Sequence, residues 1–80
     1  MQLGDAFGDV LRRHRQEHGL SQEQLAFQSG YHRTYISLLE RGKEIPSLTA
    51  FFKLASALGC SPTEFVSAVE ERLGESGEDK

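Results

Sequence analysis

Leu3, Phe7, Val10 and Leu11 recur at steps of three and four, which places them on one face of a helix running to about His18, and Gly19 ends it. Ser21 followed three residues later by Gln24 is a capping-box pattern and predicts a new helix from Gln22, with room for only about eight residues before the next breaker. Gly30 stands where a left-handed or close-packed turn fits. Tyr31, His32, Arg33 and Thr34 then open a third segment whose Ile36 and Leu39 share a face, and Gly42 closes it. Lys43 to Pro46 reads as a loop, because Pro46 disfavours helix at Ile45, and Ser47 caps a fourth helix. Leu48, Phe51, Phe52, Ala55 and Leu58 make the strongest helical stripe, ended by Gly59. Ser61, Pro62 and Glu64 supply the cap, the first position and the third position of a last helix carrying Phe65, Val66, Val69 and Leu73. No alternation of strand period and no internal repeat is found, so the pattern predicts an all-α fold of five short helices over residues 1–73. Residues 74–80 contain no apolar side chain and two glycines, and are expected to form a mobile acidic tail.

With 80 residues, the chain is expected to be one domain that buries about 60–65% of its unfolded surface, too little for a large catalytic cleft. Apolar residues at 38% and charged residues at 26% are ordinary for a folded domain. No apolar run reaches the ~18–20 residues of a membrane span, and Asp5 and Asp9 stand where a signal peptide would be basic, so a cytoplasmic location is expected. Cys60 has no partner for an internal disulfide and follows an apolar helical pattern, which favours a small packing role over a reactive thiol. The net charge of −3 speaks against nucleic acid, but its distribution is uneven. Residues 1–46 hold six Lys/Arg against six Asp/Glu, whereas residues 47–80 hold three against six.

Two short helices around a glycine turn form a helix-turn-helix, whose second helix can enter the DNA major groove. Such a unit needs a small residue on the first helix, a glycine in the turn and branched apolar anchors on the second; Ala26, Gly30, Ile36 and Leu39 stand at those places. The run Gly19-Leu20-Ser21-Gln22, Gln24-Leu25-Ala26, Gly30, Thr34-Tyr35-Ile36-Ser37, Leu39-Glu40-Arg41-Gly42 and Pro46-Ser47-Leu48 resembles the lambda-repressor-like, Cro/cI-type (xenobiotic-response-element) helix-turn-helix family. The resemblance continues through Leu54-Ala55, Leu58-Gly59 and Pro62, and the short layout is similar to restriction-modification controller proteins and small phage-type repressors.

That resemblance implies a five-helix DNA-binding domain and a set of roles. Gln22 would contact a phosphate at the start of the second helix. His32, Arg33, Thr34 and Ser37 would face the major groove, Arg33 as a bidentate partner of guanine. Tyr35, Arg41 and Lys43 would hold the DNA backbone. Arg15 would pair with Glu40 as a structural ion pair. Two features depart from the family pattern: the pI of about 5.5, and Leu38 at a position where relatives often carry a polar base contact.

Other constellations are weaker. His14 and His18, four apart, could join His32 or Cys60 around a metal, but no CxxC or HExxH accompanies them and a structural or solvent role is favoured. Arg12 and Arg13 read equally as a solvated helix face, and Tyr31 as a packing residue. Catalytic spacings are missing, so no enzyme, cofactor or metal is expected. Five short helices carry more apolar side chains than one small core hides, which points to a homodimer through Phe51, Phe52, Phe65, Val66, Val69 and Leu73, together with Leu48. The expected function is a sequence-specific transcriptional regulator, dimeric on a pseudo-palindromic operator. The alternative is an antitoxin-like module on the same fold that binds a protein partner, favoured by the acidity after residue 46.

Overall fold

A computed structural model describes residues 1–75. Among them are five helices and no strand: α1 (Leu3–Glu17), α2 (Gln22–Ser29), α3 (Arg33–Glu40), α4 (Leu48–Ala57) and α5 (Pro62–Glu75). Local chemistry sets their starts. The Ser21 hydroxyl accepts from the Gln24 N–H at 3.0 Å while Gln24 Oε1 accepts from the Ser21 N–H at 2.7 Å, which closes the capping box. Ser61 and Glu64 exchange the same pair of bonds at 3.1 and 3.3 Å, and Ser47 caps α4 through the Ala50 N–H.

α1 lies across the bundle against α3 and α5, α2 packs on α3 and α4, and α4 closes on α5. Leu11, Leu25, Ile36, Leu39, Leu54, Leu58 and Phe65 are fully buried where these elements meet. The rings of Phe7, Phe51 and Phe65 form an aromatic triangle with centroids 5.1 to 6.0 Å apart. Gly8 makes the α1–α3 crossing possible. A Cβ there would sit 2.5 Å from the Leu39 carbonyl oxygen and 2.6 Å from that of Glu40, so the last turn of α3 rests directly on the α1 backbone.

Three expectations need correction. α5 runs on through Gly74 and Glu75, because Leu73 is buried and Arg72 reaches both Asp9 on α1, at 3.1 Å, and Glu75, at 3.9 Å. The remainder of the expected tail, residues 76–80, lies outside the described residues. The α4 stripe buries Ala50, Phe51, Leu54, Ala55 and Leu58, whereas Leu48 and Phe52 are exposed at 71% and 53% and line open surface grooves instead. Among the residues expected at a dimer seam, Phe65 is completely enclosed by the aromatic triangle and offers nothing to a partner. Phe51, Val69 and Leu73 are buried and present only edges, to the floor of a surface groove, leaving Leu48, Phe52 and Val66 as the exposed members.

Candidate nucleic-acid interface

The α2–α3 unit is built on one tight turn. Gly30 ends α2 in the left-handed conformation, with φ +82°, and the Tyr31 N–H turns back to the Ala26 carbonyl at 2.9 Å. Ala26 is 3% exposed, and its small side chain lets α3 approach; Ile36 and Leu39 anchor the inner face of α3. At about 100° per residue, Thr34, Ser37 and Arg41 fall on the opposite sector, while Arg33, in the first turn, lies on the flank about 60° from Ile36. Arg33, Thr34 and Arg41 are exposed and Ser37 is half-buried, with the exposed His32 just ahead as N-cap. Leu38 borders this strip, half-buried.

Not every expected contact residue is free to act independently. Arg41 Nε donates to Ser37 Oγ at 3.2 Å, so two members of the strip already touch. Tyr35 lies off the strip, half-buried, its ring centroid 5.0 Å from that of Tyr31. Burial, then the neighbouring Tyr31 and Glu44, push the Tyr35 phenol above its ordinary value, so it is a neutral hydroxyl. Lys43 is exposed in the loop after α3, its N–H closing the helix end on the Leu38 carbonyl at 2.9 Å.

Behind the strip lies an ionic network. Arg15 Nε donates to Glu40 Oε2 at 2.6 Å and Arg15 Nη2 to Oε1 at 3.0 Å, while Nη1 reaches the Leu20 carbonyl at 2.8 Å. The Glu40 side chain is 2% exposed and that of Arg15 12%. The Glu40 hydrogen bond and charge raise the Arg15 guanidinium above its ordinary value against the cost of burial. Gln22 joins the same carboxylate, donating from Nε2 to Oε1 at 3.0 Å.

Comparison with known proteins places this geometry. Residues 11–65 match the helix-turn-helix family. The chain belongs to that family. An HTH-type transcriptional regulator of Sinorhizobium fredii is 38% identical over 71 residues, 89% of this chain and 92% of the relative. The restriction-modification controller protein C.AhdI of Aeromonas hydrophila superposes with a TM-score of 0.76 at 47% identity, over 78% of this chain and 94% of that one. The clp gene regulator ClgR of Corynebacterium glutamicum superposes with a TM-score of 0.92 at 27% identity, over 96% and 82%. These relatives are regulators, not enzymes.

Within this helix-turn-helix, two features were not legible in the sequence. The hydrogen bond of Gln22 to Glu40 spans 18 positions and has no local signature. Lys53, on α4, holds its ammonium 5.6 Å from the Tyr31 ring centroid, which sets a cation beside the turn from a part of the chain with no motif. The side chains weighed for metal are dispersed: His14 stacks on Phe65 at 5.3 Å, and no group of three His, Cys, Asp or Glu among the described residues could hold an ion. Burial and the charge of Glu64 push the half-buried Cys60 thiol up, away from the reactive thiolate. No helix of the described residues is long and apolar enough to cross a membrane.

Proposed function

We propose that this chain is a sequence-specific DNA-binding transcriptional regulator that acts as a homodimer on a pseudo-palindromic operator. The observation that carries the reading is the strip formed by exposed Arg33 and Thr34 with half-buried Ser37, on a helix whose inner face is locked into the core by Ile36 and Leu39. A helix held in this way presents its side chains to the major groove with little freedom to lose on binding. Arg33 reads a guanine, and Gln22, Tyr35, Arg41 and Lys43 hold phosphates. The regulator and controller names of the relatives support the same reading.

Dimerisation is supported by an apolar groove of about 390 Å³. Leu3, Ile45, Leu48 and Val66 rim it, each between 47% and 71% exposed, over a floor of Phe7, Phe51, Val69 and Leu73. A contiguous exposed apolar surface of this kind favours association. A two-fold axis there would set the two α3 helices about 34 Å apart, one turn of DNA. Fluorescence anisotropy against duplex DNA flanking the chain's own gene tests the reading. Saturable binding that a same-length unrelated duplex competes poorly is expected; equal competition by both would sink sequence specificity.

A further inference from the structure

Of the side chains assigned to DNA, Gln22 is the one whose amide is held by a buried charge of the protein. The Glu40 carboxylate takes two hydrogen bonds from Arg15 and a third from Gln22 Nε2 at 3.0 Å, with only 2% of its side chain exposed. An ionised carboxylate only accepts hydrogen bonds, so of the two ends of the Gln22 amide only the NH2 end can face it. The terminal torsion of an unrestrained glutamine is broad and roughly two-fold; here chemistry selects one orientation. The amide nitrogen carries two hydrogens. One is used on Glu40, and the other, together with Oε1, remains for a partner outside the network.

We infer that Glu40 is a positioning residue for DNA binding: its carboxylate fixes the Gln22 amide by one N–H, leaving the second N–H set for a backbone phosphate. The inference deepens the DNA-binding reading and rests on it. The same carboxylate locks Arg15 on α1 to the end of α3, so one buried charge both ties these helices together and orders the first side chain of α2. Ordering that side chain before association removes an entropy cost from binding. A phosphate contact carries no base preference, so its loss falls equally on every sequence.

The test is an anisotropy titration of the full chain, Gln22→Ala, Glu40→Gln and the double variant on two duplexes, one flanking the chain's own gene and one unrelated. Gln22→Ala is expected to weaken binding to both about tenfold. Glu40→Gln, used at a temperature where circular dichroism shows it folded, is expected to lose much of the same factor. The double variant should then bind no more weakly than Gln22→Ala alone. Losses that multiply, or a folded Glu40→Gln that binds like the wild type, overturn the positioning role. Should Glu40→Gln not fold, the side-chain amide of Gln22 in the ¹⁵N-labelled wild type decides. One slowly exchanging proton and a second that shifts on adding duplex support the inference, whereas two equally exchanging protons overturn it. If the wild type binds neither duplex, the DNA-binding reading falls. If Arg33→Ala loses affinity while the Gln22 and Glu40 variants do not, only the positioning role falls.

Discussion

Arg15 and Glu40 stand 25 positions apart, yet their side chains meet in a two-bond ion pair at 2.6 and 3.0 Å that ties the last turns of α1 and α3 together. Removing one partner of such a buried pair leaves the other charge uncompensated, which typically costs ~3–5 kcal/mol. Glu40→Ala is therefore expected to lose stability on that scale in urea unfolding. A loss below about 0.5 kcal/mol, the size of ordinary surface changes, would contradict the geometry. Because the folded-state value of Arg15 is raised, its contribution is complete below the ordinary guanidinium range and is lost only as pH rises above it.

Gly8 offers a test that involves no charge. An alanine Cβ would meet the backbone carbonyls of Leu39 and Glu40 at 2.5 and 2.6 Å, and backbone cannot swing aside as a flexible side chain can. Gly8→Ala is expected to force α1 and α3 apart and cost ~1–3 kcal/mol, the usual range for overpacking. Thermal melting of the variant checks this; an unchanged or raised melting temperature refutes the close crossing.

Arg33 and Lys43 should separate base reading from phosphate holding. Arg33→Ala is expected to weaken operator binding by ~1–3 kcal/mol and to flatten the preference at one base pair. Lys43→Ala should weaken all sequences alike and lower the salt slope by about one. Titrations of both variants over a salt series, with single-base operator variants, distinguish the two effects. An Arg33→Ala chain with unaltered affinity and base preference would remove α3 as the reader and favour a protein-binding role.

Leu48 and Val66 lie on the groove rim, 71% and 47% exposed, so charges placed there should leave the monomer's core intact. Leu48→Glu with Val66→Glu is expected to shift sedimentation equilibrium to the monomer while the far-ultraviolet spectrum is retained. Operator binding should weaken with it. A wild type that is monomeric at high micromolar concentration, with and without DNA, would exclude the dimer.

Tyr35 gives a pH prediction. Its folded-state value is raised, so the neutral phenol is favoured in the fold. Its contribution is fully present below the ordinary phenol range of about pH 10 and is lost as pH rises through the higher folded value. Melting temperature is expected to fall in that alkaline window and to fall less in Tyr35→Phe. Ultraviolet phenolate absorbance should show one tyrosine ionising late in the wild type.

Local rules were sufficient for the elements. Ser21 with Gln24, Ser47, and Ser61 with Glu64 cap helices as their spacing implies, because each cap is satisfied within three residues. The left-handed turn at Gly30 and the inner face of Ile36 and Leu39 are legible for the same reason: they depend on backbone conformation and periodicity alone. The five-helix order, and the motif on which the resemblance rested, arise from these short-range features.

Partnership between elements required the tertiary structure. Periodicity marked Phe65, Phe52, Leu48 and Val66 alike as apolar, but only the packing of α1 and α4 around α5 encloses Phe65 and leaves the other three at the surface. Gly8 looks like any helix-weakening glycine until the carbonyls of α3 are seen resting on it. Gln22 read as a phosphate contact from its place at the start of α2, while its bond to Glu40 depends on α3 delivering a carboxylate from 18 positions away. Caps and helical faces were determined by the sequence because their free energies arise between neighbours in the chain. Burial, close approach and shared hydrogen bonds were decided by the tertiary structure because they arise between residues that only the completed fold brings into contact.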